Sequence, residues 1–285
     1  MSRIVYVNGA YLNEEEAKIS VFDRGFLFAD GVYEVSSVLQ GRLIDNAGHL
    51  ARLHRSLNEL EMAAPASDAE IESIQKTLIA KNAVDQGLVY LQITRGAADR
   101  DFAYPQGVQP SLVMFTQHKN LIDSPQAING IAVMGVEDIR WRRRDIKTVG
   151  LLAPCMAKMQ AKKSGADDAW LIEDGQVTEG SSNNAFIITA DDTLVTRQLG
   201  NEILAGITRK AVMKLAEEQH VRIEQRPFSI DEACHAKEAF VTSATTFVTP
   251  VIAINGNPVA DGRPGKLTRR LRELYIESAL EAADG

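Results

Sequence analysis

The sequence predicts an α+β protein in two domains, for three reasons. Strand and helix patterns are both abundant, yet they do not alternate in the strict order of a doubly wound sheet. The polar stretch 118–126, HKNLIDSPQ, interrupts them with Pro125 and reads as a connector. A chain of 285 residues is long enough for two compact cores and sits at the upper limit for one. The domains are therefore drawn as 1–118, a small N-terminal domain; 119–127, a linker; and 128–285, a larger C-terminal domain.

The elements follow from local pattern. Ile4 to Leu12 reads as two strands joined at Asn8-Gly9, a hairpin dipeptide. Ile19 to Phe22 and Val32 to Leu39 also have strand composition, the second folding back through Gln40-Gly41 into Arg42-Leu43-Ile44. From about Asn46 the period changes: Leu50, Leu53, Leu57 and Leu60 recur at 3-4-3 spacing and predict a helix. Ser67-x-x-Glu70 is a capping box that opens a second helix bearing Ile71, Ile74 and Leu78. Leu88 to Thr94 and Ser111 to Gln117 complete the first domain as strands. Beyond the connector, strands are expected at Ile131 to Val136, Ala169 to Ile172 and Gln176-Val177, the last pair turning at Asp174-Gly175. Further strands are expected at Asn184 to Thr189, Leu194 to Thr196, Ala239 to Thr242 and Val251 to Ile254. Helices are expected from Leu152 to Lys163, Thr208 to about His220, and about Leu267 to Ala282.

Composition narrows the function. A net charge of −7 disfavours a general nucleic-acid or membrane-surface binder. Two cysteines, Cys155 and Cys234, are too few for a disulfide framework and read as reduced thiols. No signal-peptide pattern and no apolar run of membrane-spanning length is present, so a cytoplasmic protein is expected. Phosphate-loop, dinucleotide, zinc-protease and nucleophile-elbow motifs are absent, and five scattered histidines offer no metal-ligand spacing.

What remains is a different constellation. Thr178-Glu-Gly-Ser-Ser-Asn-Asn184 lies between two expected strands. Its plain reading is a polar turn; its functional reading is a carboxylate, Glu179, that holds a protonated ring nitrogen while small residues allow close approach. Leu204-Ala-Gly-Ile-Thr-Arg209 leads into an amphipathic helix. It is either an ordinary capped start or a phosphate seat built from the N–H groups of Ile207 and Thr208 at the positive end of the dipole. Arg52, off the leucine stripe, is either a solvated helix residue or an ionic phosphate contact. Arg142, Arg143 and Arg144 read as solvated or ion-paired edge residues. Lys147, alone in Asp145-Ile-Lys-Thr-Val-Gly-Leu-Leu152, is an ammonium at the mouth of an apolar stretch and needs a partner or a job.

In order along the chain, these segments resemble the class IV aminotransferases, pyridoxal-phosphate enzymes of fold type IV. The resemblance runs from Glu179-Gly-Ser-Ser-Asn-Asn-Ala-Phe186 through Leu194-Val-Thr196 to Leu204-Ala-Gly-Ile-Thr-Arg209. Asp23-Arg-Gly25, Asp30-Gly-Val-Tyr-Glu34, His49-Leu-Ala-Arg-Leu53, Glu137-Asp-Ile-Arg-Trp141, the Lys147 segment and Thr249-Pro-Val-Ile252 add to it. Within the family the chain is most similar to bacterial D-amino-acid transaminases. The resemblance implies that the C-terminal domain binds pyridoxal 5'-phosphate and that Lys147 holds it as a Schiff base. An imine removes the charge that burial would penalise, and the released amine can shuttle the substrate α-proton.

The resemblance further assigns Glu179 to the pyridine nitrogen, Arg52, Ile207 and Thr208 to the phosphate, and Leu204 to the underside of the ring. Ser243, Ala244 and Thr245 fall in a further phosphate and substrate loop, where Ala244 replaces a usual hydroxyl residue and keeps only its N–H. In the D-amino-acid enzymes a tyrosine, an arginine and a histidine trap the substrate carboxylate, the last two lent by a neighbouring subunit. Tyr33 and Arg100 match two of them, but Phe102 stands where histidine is expected, and Asp101 could pair with Arg100. The leading expectation is thus a homodimeric D-amino-acid transaminase acting by a ping-pong cycle on amino-acid and 2-oxo-acid substrates, pyruvate or 2-oxoglutarate. An (R)-selective amine transaminase, a branched-chain L-amino-acid transaminase, a 4-amino-4-deoxychorismate lyase and a catalytically silent cofactor binder are the alternatives.

Overall fold

Asn8 and Gly9 take the positive φ values, 46° and 98°, that a tight hairpin demands, and so β1 (Ile4–Val7) returns as β2 (Ala10–Asn13). The computed structural model describes residues 2–284, with side chains from 2 to 281. After the hairpin come α1 (Arg24–Phe28), β3 (Gly31–Leu39), β4 (Arg42–Leu43), α2 (Asn46–Glu59), α3 (Asp68–Lys81), β5 (Gly87–Thr94) and β6 (Ser111–His118). The strands form an antiparallel sheet of order β2-β1-β6-β5-β3-β4.

Alternation along these strands decides which side is dry. Val32, Leu91, Ile93, Leu112 and Met114 pack against the leucine stripe of α2 and against Ile71, Ile74 and Leu78 of α3. The opposite face carries Tyr33, Val35, Tyr90, Gln92, Val113 and Phe115, all half-buried. There Tyr90 stacks on Tyr33 at 5.6 Å and on Phe115 at 4.7 Å between ring centroids. The capping box forms as expected, with Ser67 accepting from Glu70 N–H and the Glu70 carboxylate accepting from Ser67 N–H.

The second set of elements is α4 (Pro125–Asn129), β7 (Ile131–Glu137), α5 (Leu152–Lys163), β8 (Asp168–Glu173), β9 (Gln176–Gly180), β10 (Asn184–Ile188), β11 (Leu194–Thr196), α6 (Ile207–Glu218), β12 (Ile223–Gln225), α7 (Ile230–Cys234), β13 (Glu238–Ser243), β14 (Phe247–Ile254), β15 (Asn257–Pro258) and α8 (Lys266–Asp284). Its mixed sheet runs β12-β11-β10-β13-β14-β7-β8-β9, with β15 paired to β14. Parallel pairing occurs at β11–β12, β14–β7 and β7–β8; the rest is antiparallel. Trp170, Ile187, Val195, Phe228, Val241 and Val251 are central to one core cluster, and α5 packs Ala157 and Ala161 against Ala169 and Leu171 in another.

Two departures from the sequence reading are informative. Ile19 to Phe22 is not a strand: Ser20 makes a turn, accepting from Phe22 N–H through Oγ and from Asp23 N–H through its carbonyl, and Ile19, Val21 and Phe22 are exposed. The connector is not wholly irregular, because Ser124 caps the helical turn α4 with Pro125 in its first turn. The chain divides into two compact units. One contains the residues up to Asn120 together with Ile146–Gly150; the other contains Leu121–Asp145 and Leu151–Glu281. Among the described residues no helix is long and apolar enough to cross a membrane, and no cluster of three His, Cys, Asp or Glu side chains suits a metal ion.

Candidate active site

In the first unit, the returning segment Ile146–Gly150 lies along β3. Tyr33 N–H donates to Lys147 O at 3.0 Å, Val149 N–H donates to Gly31 O at 3.1 Å, and Val32 and Thr148 form an antiparallel bridge. Lys147 Nζ therefore sits 4.1 Å from the centroid of the Tyr33 ring, a cation–π contact on the half-buried aromatic face. Lys147 N–H donates to Ser56 Oγ on α2 at 3.4 Å.

Arg52 lies on α2 one helical turn before Ser56. It is not a solvated helix arginine. Its Nε and Nη2 donate to the two oxygens of Glu34 at 2.7 and 2.8 Å, and His49 Nδ1 lies 2.7 Å from Glu34 Oε2. All three side chains are buried. Burial by itself would raise the Glu34 carboxyl, but the Arg52 charge and the hydrogen bonds from Arg52 and His49 outweigh it and hold the group at about 2. Glu34 follows Tyr33 in β3 and so points to the opposite face. One strand thus places an aromatic ring beside Lys147 and a carboxylate that fixes Arg52.

In the second unit, Glu179 lies next to the end of β9, nearly fully buried. Its Oε1 accepts from Arg140 Nη1 at 2.6 Å; its Oε2 accepts from Asn184 Nδ2 at 2.9 Å and from Leu204 N–H at 3.1 Å. Arg140 also donates to Asp138 at 2.7 and 2.9 Å, and buried Arg144 reaches Asp138 and Glu173. Burial disfavours the Arg140 charge, but the hydrogen bonds to Asp138 and the Glu179 carboxylate outweigh it, so its pKa is raised. Asp138 is lowered: burial opposes its charge, and Arg140, Thr178 and Arg144 more than compensate. Charges of alternating sign therefore run through the buried side of this site, and Arg144 is part of them rather than an edge residue.

Asn184 ties the site to the next helix, since its Nδ2 also donates to Leu204 O at 2.9 Å. Gly206 caps α6 with no side-chain acceptor for the first-turn amides, and a Cβ on Gly206 would collide with Asn184 Oδ1. Ile207 and Thr208 open that helix, Thr208 being buried. Asn184 stands opposite Thr242 in the β10–β13 ladder, so their side chains share a face, and Thr242 Oγ1 is buried with no hydrogen-bond partner. Ser243 ends β13, and Ala244 and Thr245 begin the turn into β14. Ser243 Oγ and Thr246 Oγ1 are 2.8 Å apart, and Arg272 Nη1 donates to the Thr246 and Val248 carbonyls at 2.8 Å each.

Arg100 and Phe102 are exposed together in the loop after β5, packed with Phe28. Asp101 does not pair with Arg100. Its carboxylate accepts from Ala103 N–H, and its carbonyl accepts from Arg24 Nη1 at 2.6 Å. Sequence reasoning assigned no role to Glu34, His49, Arg140 or Asn184. Each lies inside a segment that carries the family resemblance, but only the fold shows which charge it meets.

Residues 31–254 match the model of the family described as amino-transferase class IV. The chain is 39% identical over 280 residues to a D-alanine aminotransferase of Staphylococcus aureus (strain MSSA476), covering 96% of this chain and 98% of that protein. It is 37% identical over 276 residues to the D-alanine aminotransferase of Bacillus licheniformis, covering 97% of each. Among solved structures, a T.th. branched-chain amino acid aminotransferase with pyridoxamine 5'-phosphate superposes with a TM-score of 0.89 at 25% identity, over 98% of this chain and 94% of that one. The Escherichia coli branched-chain amino acid aminotransferase superposes with a TM-score of 0.90 at 22% identity, over 98% and 95% of the two chains, a likeness of fold. With the family match spanning most of its length and relatives near 40% identity over nearly all of it, the chain belongs to the class IV aminotransferases.

Proposed function

We propose that this enzyme moves an amino group between a D-alanine-like amino acid and a 2-oxo acid, pyruvate or 2-oxoglutarate. One observation carries the reading: full-length similarity to D-alanine aminotransferases at 37–39% identity. Class IV aminotransferases depend on pyridoxal 5'-phosphate, and the residues here fit that group. A buried hydroxyl without a protein partner, Thr242 Oγ1, shares a face with the Asn184 amide, and the α6 amides have no side-chain cap. When bound, the cofactor supplies an electron sink for the carbanion that forms at the substrate α-carbon.

The chain's own residues do the rest. Lys147 Nζ would hold the group, and as a free amine it would take the proton from the substrate α-carbon and pass it on as a general acid. Tyr33 lines that amine with an apolar ring, and Glu34 keeps the Arg52 guanidinium oriented as a phosphate ligand. Glu179, which accepts from Arg140 and the Asn184 amide, would pair with the protonated ring nitrogen. Ile207 and Thr208 would offer N–H groups to the phosphate at the positive end of α6, Leu204 would contact the cofactor, and Ser243, Ala244 and Thr245 would add further donors. Tyr33, Arg100, Phe102 and Thr245 contact the substrate.

The enzyme is also read as a cytoplasmic homodimer. Ile19, Val21, Phe22 and Phe26 are exposed apolar side chains close in sequence that a second copy could cover, and light scattering on the purified protein tests it. The reading requires the reconstituted holoenzyme to form pyruvate from D-alanine and 2-oxoglutarate and to leave L-leucine untouched. A second reading, (R)-amine transamination, is favoured by Phe102 alone. It predicts turnover of (R)-1-phenylethylamine with pyruvate but none of D-alanine.

A further inference from the structure

We propose that Phe28 and Phe102 form an aromatic bracket that positions Arg100 to hold the substrate carboxylate, replacing a hydrogen-bonding partner with two ring faces. The proposal rests on the transaminase reading and deepens it at the one position where the carboxylate trap departs from expectation. Arg100 Cζ lies 5.2 Å from the Phe28 ring centroid and 5.5 Å from that of Phe102. The two rings are themselves 5.5 Å apart and inclined at 56°, so the guanidinium sits in the angle between them. Rings hold a cation through their π-faces and accept no conventional hydrogen bond, so this mode of positioning leaves the N–H fork of Arg100 unspent. Among the described residues no hydrogen bond or ion pair engages Arg100, whereas Arg24, Arg52 and Arg95 of the same unit are all committed to carboxylates.

The bracket has a foundation. Arg24, buried, donates to the Asp101 and Ala103 carbonyls and to Asp30 Oδ2, and its Cζ lies 4.6 Å from the Phe28 centroid. Arg95 donates to the same Asp30 oxygen and lies 3.6 Å from the Tyr104 centroid. The loop that presents Arg100 is therefore pinned on its far side by buried ion pairs. An exposed cation set against apolar faces, with its N–H donors uncommitted, suits a planar carboxylate. The charged groups on and against the bracket loop are Arg24, Arg95, Asp30, Asp99 and Asp101, with the Tyr104 phenol beside them. None is an imidazole, so carboxylate affinity lacks a limb in the histidine range.

The test is competitive inhibition of the holoenzyme by propionate, together with KM for D-alanine, in wild type, Arg100→Ala, Phe102→Ala, Phe102→Tyr and Phe102→His. Phe102 is 79% exposed, so its substitutions spare the core. Arg100→Ala is expected to weaken propionate by about tenfold or more, the scale of a lost charge-assisted hydrogen bond. Phe102→Ala is expected to weaken it about two- to five-fold, the scale of one exposed cation–π contact, with the loss expressed in KM rather than kcat. Phe102→Tyr retains the ring and stays within about twofold of wild type. Phe102→His divided by wild type gains a pH dependence centred near ~6.5, with tighter binding on the acid side. A wild-type holoenzyme whose visible band ignores D-alanine would overturn the transaminase reading and the bracket with it. A normal wild-type response with propionate affinity unchanged in Arg100→Ala or Phe102→Ala would overturn the bracket alone.

Discussion

Replacing Glu34 with Gln removes one charge from a buried ion pair and leaves its shape almost intact. The wild-type carboxylate accepts from Arg52 Nε at 2.7 Å, from Arg52 Nη2 at 2.8 Å, and lies 2.7 Å from His49 Nδ1, with every member buried. The glutamine keeps one acceptor but turns an amide N–H₂ toward a guanidinium, so Arg52 becomes a poorly compensated buried cation. Removing one partner of such a pair costs about 3–5 kcal/mol. An independent figure comes from linkage. Glu34 moves from an ordinary 4.5 to about 2 on folding, which corresponds to about 3 kcal/mol.

The sign is that of a depressed carboxylate. The stabilisation is complete above pH 4.5, declines as pH falls, and is gone below about 2. Urea unfolding of both proteins at pH 7, 5, 4 and 3 should show a gap of about 3 kcal/mol at neutral pH that narrows with acid, alongside a Tm lowered by roughly 6–12 °C at pH 7. A gap that stayed constant down to pH 3 would show that the loss is steric rather than electrostatic. No gap at all would refute the buried pair.

Three further outcomes are expected. Lys147→Ala should lower transamination by at least about 10³-fold, the range of a lost general acid–base group, while far-UV circular dichroism stays unchanged; near-normal turnover would remove Lys147 from the mechanism. Arg140→Leu strands the Glu179 and Asp138 carboxylates in a buried site and should destabilise the protein by about 3–5 kcal/mol in urea unfolding, with apparent cofactor affinity falling in parallel. Ser67→Ala removes one helix cap and should cost about 1 kcal/mol of stability with kcat and KM unmoved, a control in which folding and chemistry separate.

Most elements were legible because their signals are local. The 3-4-3 leucine stripe of α2, the Ser67 capping box and the span Leu152–Lys163 need no knowledge of distant residues. The misreading of Ile19 to Phe22 shows where that stops. An apolar run has the composition of a strand whether or not a partner edge exists, and here a serine-built turn takes the place of a ladder. At the candidate site, the sequence offers residue types but not their settings. Arg52 was expected at a phosphate, but its buried partner Glu34 was not foreseen because it lies 18 positions away on another element. Arg140 was passed over because the carboxylate it meets is 39 positions downstream. Arg100 kept its expected identity, but nothing local foretold that Phe28, 72 positions upstream, would share it with Phe102. Such pairings belong to the topology, which sequence period does not encode.

The five residues 146–150 have a consequence for how the molecule is made. The first unit's outer margin at Gly31–Tyr33 is closed by Lys147, Thr148 and Val149. A nascent chain that has released its first 120 residues therefore holds a sheet whose margin is still bare, and unpaired strand margins invite association with other chains. At about 5–20 residues per second, the missing stretch follows within seconds, after 25 residues of the other unit have passed. The lysine thus arrives as the closing piece of a domain begun much earlier. A gene cut at codon 120 would discard Lys147 together with the segment that lines the sheet margin.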